Sequence, residues 1–286
     1  MKKLLAAVLA AASILALSGC RNSEPAPENG MISYDFTQMD LDYIQLKPPK
    51  AGDKIAIIDT DFGEIRVVLY EEYAPKTVRN FIEKANAGTY NDMPIKGVQS
   101  DMYFLTGGKE DSKGNYIGRD SDDELLDNEY SVNLWPFSGA LMGYSEKAGK
   151  SDSRWFIINN DEKTLTVEAI NELKEGTNDL EDETVREKMR AMFDTFYEFG
   201  GVFSLAGENT VFGQTYLGMD VVKRLTRISA NDNAEATDVV MIKSVTISEF
   251  KDGDETDEFP RTPIHDKLPE VPADNSDDTA SKGAES

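Results

Sequence analysis

Basic residues, cysteine and histidine are all scarce in this chain of 286 residues, and each shortage excludes a class of function. Thirty Lys and Arg stand against 53 Asp and Glu, a formal charge of −23. Nucleic-acid binders carry basic faces that neutralise phosphates, so no nucleic-acid partner is expected. One Cys allows no intrachain disulfide, and one His rules out a multi-His metal site. A His-based triad would have only His265 as its base. No Gly-rich loop runs from a strand into a helix, and the acidic stretches lack EF-hand spacing. No metal and no cofactor are expected.

The two ends differ from the middle. Lys2 and Lys3 precede a mostly apolar run, Leu4 to Leu17, which is short for a bilayer span and suits a signal-peptide core. It ends in Leu17-Ser18-Gly19-Cys20. Small residues before a Cys at this position resemble the bacterial lipobox, which implies a signal peptide over 1–19 and lipidation of the Cys20 thiol. Acyl chains hold to a bilayer by about 0.8 kcal/mol per buried CH₂, and stable anchoring takes more than one chain. The expected location is therefore a bacterial cell membrane, on its extracytoplasmic face, with the lipid bilayer as a partner through Cys20. Residues 20–50 read as the lipidated Cys and a tether, with Arg21 to Gly30 polar and lacking periodicity. Residues 251–286 hold 11 acidic residues and few large apolar ones, and read as a disordered acidic tail. His265 lies in it and is expected to be a solvated side chain.

Between them, 51–250 reads as one mainly β domain. Lys54 to Thr60 and Glu64 to Tyr70 are β-branched-rich runs around Asp61-Phe62-Gly63, a strand, a turn and a strand. Ala74 to Gly88 is helical: Pro75 suits the first turn, Val78, Phe81, Ile82 and Ala85 share a face, and Gly88 suits the stop. Short strands are expected at Met102 to Leu105, Gly139 to Met142, Arg154 to Ile158, Val211 to Phe212 and Val239 to Ile247, and a helix at Met219 to Ile228. Many short strands with few helices suggest a closed antiparallel barrel, which removes exposed sheet edges. Residues 161–201 are different. Leu165 to Glu175 and Glu181 to Phe199 are helical by propensity, and Val185, Met189, Met192, Phe193 and Phe196 form one apolar stripe. This reads as an inserted helical hairpin. Its stripe is expected to pack on the barrel; the other reading is a partner groove or lid.

The order of these residues resembles that of cyclophilins, the barrel-shaped peptidyl-prolyl isomerases. The resemblance rests on Ala74-Pro75-Lys76-Thr77-Val78 with Asn80-Phe81, Gly107-Gly108, Gly139-Ala140-Leu141, Ser153-Arg154-Trp155-Phe156-Ile157, Asn209-Thr210-Val211-Phe212-Gly213 and Gly218-Met219-Asp220-Val221-Val222. It implies a closed antiparallel cyclophilin-like β-barrel with two capping helices, and rotamase activity on proline-containing segments of secreted or surface proteins. In the family motif F-H-R-V-I-P-x-F-M-x-Q-G-G an Arg supplies a charged donor to the twisted amide. Counting back from Gly107-Gly108 puts Val98 at that Arg, Tyr103 at the pocket Phe, Phe104 at the Met and Thr106 at the Gln. Phe156 keeps the second pocket Phe, Arg154 stands at a family Gln, Tyr144 at a small Ala, Ser145 at an Asn, Ser204 at the rim aromatic and Asn209 at a His. Lys96 and Arg154 are the candidate substitutes for the missing Arg. The expected substrate-binding set is Tyr103, Phe104, Thr106, Tyr144, Ser145, Phe156 and Asn209. Two outcomes stay open: a weak membrane-anchored isomerase, or a catalytically inactive cyclophilin-like module that binds a peptide or protein.

Overall fold

Alternating burial along the strands shows why they pair. In Lys54–Thr60 (β1) and Gly63–Leu69 (β2), the residues of one face, Ala56, Ile58, Ile65 and Val67, are fully buried. The structure, a computed structural model, describes residues 35–110, 116–118, 124–147, 149–159, 166–257 and 263–265. The expected signal peptide over 1–19 and Cys20 lie outside the described residues.

Seven further strands complete the main sheet, Met93–Pro94 (β3), Gly97–Gln99 (β4), Tyr103–Thr106 (β5) and four later ones, and four more form two short ribbons. The ribbons pair Lys109–Glu110 (β6) with Tyr116–Gly118 (β7), and Leu126–Asp127 (β8) with Lys150–Ser151 (β10). The others are Ala140–Gly143 (β9), Trp155–Ile158 (β11), Val211–Leu217 (β12) and Met241–Glu249 (β13). The nine-stranded order is β3-β13-β1-β2-β12-β9-β11-β5-β4, antiparallel at every step. Its two edges, β3 and β4, are consecutive pieces of one segment. The Ile95 N–H donates to Val240 O at 2.9 Å on one side, and the Lys96 N–H to Leu105 O at 3.0 Å on the other. One segment thus joins the edges and closes the sheet, so the expected mainly β antiparallel barrel is what the chain forms.

Helices Pro75–Asn86 (α1) and Met219–Leu225 (α4) cap the barrel with Val78, Phe81 and Ala85, and with Val221, Val222 and Leu225, in its interior core. Ala74 gives α1 no side-chain cap. Glu129 supplies one from a distant loop, accepting from the Lys76 N–H at 3.0 Å and the Thr77 N–H at 2.8 Å. A carboxylate there satisfies two orphan donors and faces the positive end of the helix.

The inserted hairpin is Val167–Glu175 (α2) and Glu183–Phe199 (α3), started by Thr166 and Asp182. Its stripe does not open into a groove, and it does not enter the barrel core. Val185, Met189, Met192, Phe193 and Phe196 build a second core with Ile170, Leu173, Trp135 and Phe137. Phe36, Met39 and Tyr43 complete that core. This corrects the tether over its last part: residues from 35 to about 46 form a docked strap. Gln45 pins it, wholly buried, with Nε2 donating to Trp135 O at 2.8 Å and to Gln214 Oε1 at 2.9 Å. Its Oε1 accepts from the Trp135 N–H at 2.6 Å. His265 is also not a freely solvated side chain. Its ring stacks on Tyr197 at 4.5 Å, and the Ile264 N–H donates to Glu198 O at 2.7 Å. Among the described residues no helix is long and apolar enough to cross a membrane.

Candidate functional site

Cross-strand register decides which side chains can meet a ligand, because directly paired residues share a face and neighbours along a strand do not. Phe156 pairs with Leu105 on one side and Met142 on the other; Ile158 pairs with Tyr103. Gly97 and Gln99 of β4 pair with Leu105 and Tyr103. This set lies on the outer face of the sheet. Tyr103, Leu105, Met142, Phe156 and Ile158 belong there to one apolar cluster that Tyr144, Leu205 and Val211 join. The Tyr103 and Phe156 rings are 5.2 Å apart.

The alternate residues point inward. Val98 pairs with Phe104, Phe104 with Ile157, and Thr106 with Trp155. Val98 is 2% exposed, and Phe104 and Thr106 not at all. Val98 and Phe104 belong to the barrel core, where Phe104 meets Trp155 edge-on at 6.2 Å. The Thr106 hydroxyl donates to Pro94 O at 3.0 Å. Val98, Phe104 and Thr106 are therefore core residues, turned away from the outer face. Counting back from the Gly pair fixes position along the strand, but a displacement of one residue turns every side chain to the other face. Leu105 and Gln99 share the outer face with Tyr103, and sequence reasoning missed both. Pairing with Phe156 was the signal that could have found Leu105. Gly107 does hold a tight backbone path: at φ +86°, an added Cβ would lie 2.9 Å from Arg154 Cα.

Arg154 does not reach out as a free cation. Its side chain is 7% exposed, and Asp152 beside it 1%. Arg154 Nε donates to Asp152 Oδ1 at 3.0 Å, and Nη2 to Asp152 Oδ2 and Glu146 Oε2, both at 2.6 Å. The guanidinium lies over the Tyr144 ring, 4.6 Å from its centre. Lys96 sits where the chain crosses between the sheet edges, half-buried. Ser145 and Asn209 come together: the Ser145 N–H donates to Asn209 Oδ1 at 3.1 Å. Asn128 Nδ2 adds a bond to Ser145 Oγ at 2.9 Å. Ser204 is exposed.

Phe156 itself is only 3% exposed. The part of this surface that a ligand can reach is Tyr103, Leu105 and Tyr144, each half-buried, with Gln99 exposed at the edge. Burial raises the Tyr103 hydroxyl above the ordinary phenol value, and the neighbouring Tyr144 phenol raises it further. The arrangement offers a shallow apolar and aromatic surface with phenolic donors and no exposed guanidinium among these residues. Among the described residues no group of three or more His, Cys, Asp or Glu side chains is placed to hold a metal.

Comparison with known proteins bears on this geometry. Residues 55–247 match the family described as Cyclophilin type peptidyl-prolyl cis-trans isomerase/CLD. A Staphylococcus aureus protein named as a candidate peptidyl-prolyl cis-trans isomerase is 24% identical over 208 residues, 72% of this chain and 98% of its own length. A Staphylococcus saprophyticus protein of the same name is 25% identical over the same shares. Among solved structures, a Cryptosporidium parvum cyclophilin type peptidyl-prolyl cis-trans isomerase aligns with TM-score 0.48 and 17% identity, over 68% of this chain and 98% of that one. Its structure in the presence of the dipeptide ala-pro aligns with TM-score 0.47.

Proposed function

Because the chain belongs to the cyclophilin-type peptidyl-prolyl cis-trans isomerase family, we propose that it is a slow isomerase of Xaa-Pro bonds, held on the outer face of a bacterial membrane by acyl chains on Cys20. Its clients are proline-containing segments of secreted or surface proteins. Rotation about an Xaa-Pro amide loses resonance and faces a barrier of about 18–20 kcal/mol. No bond is made and no proton need move. The protein has to hold the proline ring against an apolar surface and stabilise the twisted amide with a donor. Tyr103, Leu105 and Tyr144 above Phe156 supply the surface, and this outer-face cluster is the observation that carries the reading. What is missing explains the slowness. Removing one preorganised donor from a developing charge costs on the order of 10²–10³ in rate, and Arg154, behind this surface, is bound by two carboxylates.

That engagement of Arg154 favours a second reading, a peptide-binding module without turnover. Exchange NMR of an Xaa-Pro peptide with the full chain separates the two. Cis–trans exchange that grows with protein concentration supports the isomerase. Peptide shifts without exchange leave the binding module, and neither effect removes both readings.

A further inference from the structure

Resting on the isomerase reading, we propose that Tyr144 donates the hydrogen bond that steadies the twisted amide, with Arg154 as the positioning residue behind it. Three observations converge on Tyr144. It packs at the edge of the apolar cluster that holds Tyr103 and Phe156. It remains half-buried, so part of the side chain still meets solvent. Its hydroxyl has no hydrogen-bond partner among the described residues. A phenolic O–H is a neutral donor, which suits a nitrogen that turns pyramidal and basic as the amide twists.

The ring is fixed from behind rather than left to rotate. Arg154 lies over it at 4.6 Å, and the guanidinium is itself gripped by Asp152 and Glu146. A planar cation on a ring face is held by the ring quadrupole and draws electron density from the ring, which strengthens the O–H as a donor. The two carboxylates thus set the guanidinium, and the guanidinium sets the phenol. Gly107 closes the support, since a side chain there would strike the Arg154 backbone. The arrangement places a guanidinium near the reacting surface but uses it at second hand.

The test is steady-state isomerisation of Xaa-Pro peptides by the full chain and its Tyr144→Phe, Arg154→Lys and Lys96→Ala variants. Tyr144→Phe keeps the ring and its stacking on Arg154 and deletes the donor alone. Its kcat is expected to fall at least tenfold with KM changed less than twofold and the melting temperature unmoved. Arg154→Lys keeps the charge but loses the planar stack and the bidentate grip; kcat should fall more than KM rises, even after correction for the folded fraction. An unchanged kcat in Tyr144→Phe overturns the proposal while leaving the isomerase reading intact. So does a loss of rate confined to Lys96→Ala. A wild-type chain with no catalysed rate removes the isomerase reading and this proposal together.

Discussion

Replacing Gln45 with Leu should loosen one core of this protein and leave the other standing. The side chain is wholly buried and joins three groups: the Trp135 carbonyl, the Trp135 N–H and the Gln214 amide oxygen. Leu has nearly the same bulk and can make none of these bonds. The Trp135 N–H and carbonyl are left without their Gln45 bonds. Gln214 keeps only its donation to Ser138 O at 2.8 Å. The Trp135 carbonyl still accepts from the Phe137 N–H at 2.7 Å, so two groups carry the loss; at about 1–3 kcal/mol for each buried group left unsatisfied, the sum is about 2–6 kcal/mol. That is a large share of the roughly 5–15 kcal/mol by which proteins are stable. The loss should be local, because Gln45 holds the strap whose Phe36, Met39 and Tyr43 line the second core. The two tryptophans report the two cores separately, Trp135 in the second and Trp155 in the barrel. Urea unfolding followed by fluorescence, in Trp155→Phe and Trp135→Phe backgrounds, should show the Trp135 transition move to lower urea and the Trp155 transition stay nearer its place. A shift worth less than about 1 kcal/mol at Trp135 would refute the reasoning.

Three further outcomes are expected. Glu129→Ala removes the carboxylate that caps α1 and should cost about 1 kcal/mol in a chemical melt. Arg154→Met leaves Asp152 buried without its partner and should cost about 3–5 kcal/mol, most of it regained by adding Asp152→Asn. Phe104→Ala and Leu105→Ala change neighbours on opposite faces. The first should cost about 3–5 kcal/mol as a core cavity and leave the peptide Kd of the folded protein unchanged. The second should cost less and weaken peptide binding, read by titration calorimetry.

How far the chain could be read depended on periodicity. Strands β1 and β2 and helix α1 stood out because β-branched runs, a Gly turn, Pro75 and the spacing of Val78, Phe81 and Ala85 all agree. The inserted helices were legible for the same reason. The closing segment was not: β3 and β4 are two and three residues long, and one contains Pro94. Nor was the strap, where Phe36, Met39 and Tyr43 are scattered among aspartates and no local pattern marks what they pack on. The facing of Phe104 escaped because Trp155-Phe156-Ile157-Ile158 is apolar throughout, so alternation is invisible in it. That run is buried on both faces, and only its partners say which side is which. The state of Arg154 was equally hidden, since Asp152 and Glu146 are ordinary letters in so acidic a chain.

The most direct measurement is the slope of cis-to-trans relaxation rate against protein concentration for one Xaa-Pro peptide, taken beside a cyclophilin that carries the F-H-R-V motif. The account predicts a positive slope about 10²–10³ below that of the motif-bearing enzyme. A slope equal to the enzyme's would mean that a charged donor reaches the amide after all, and a flat line would mean that this surface binds without turning the bond.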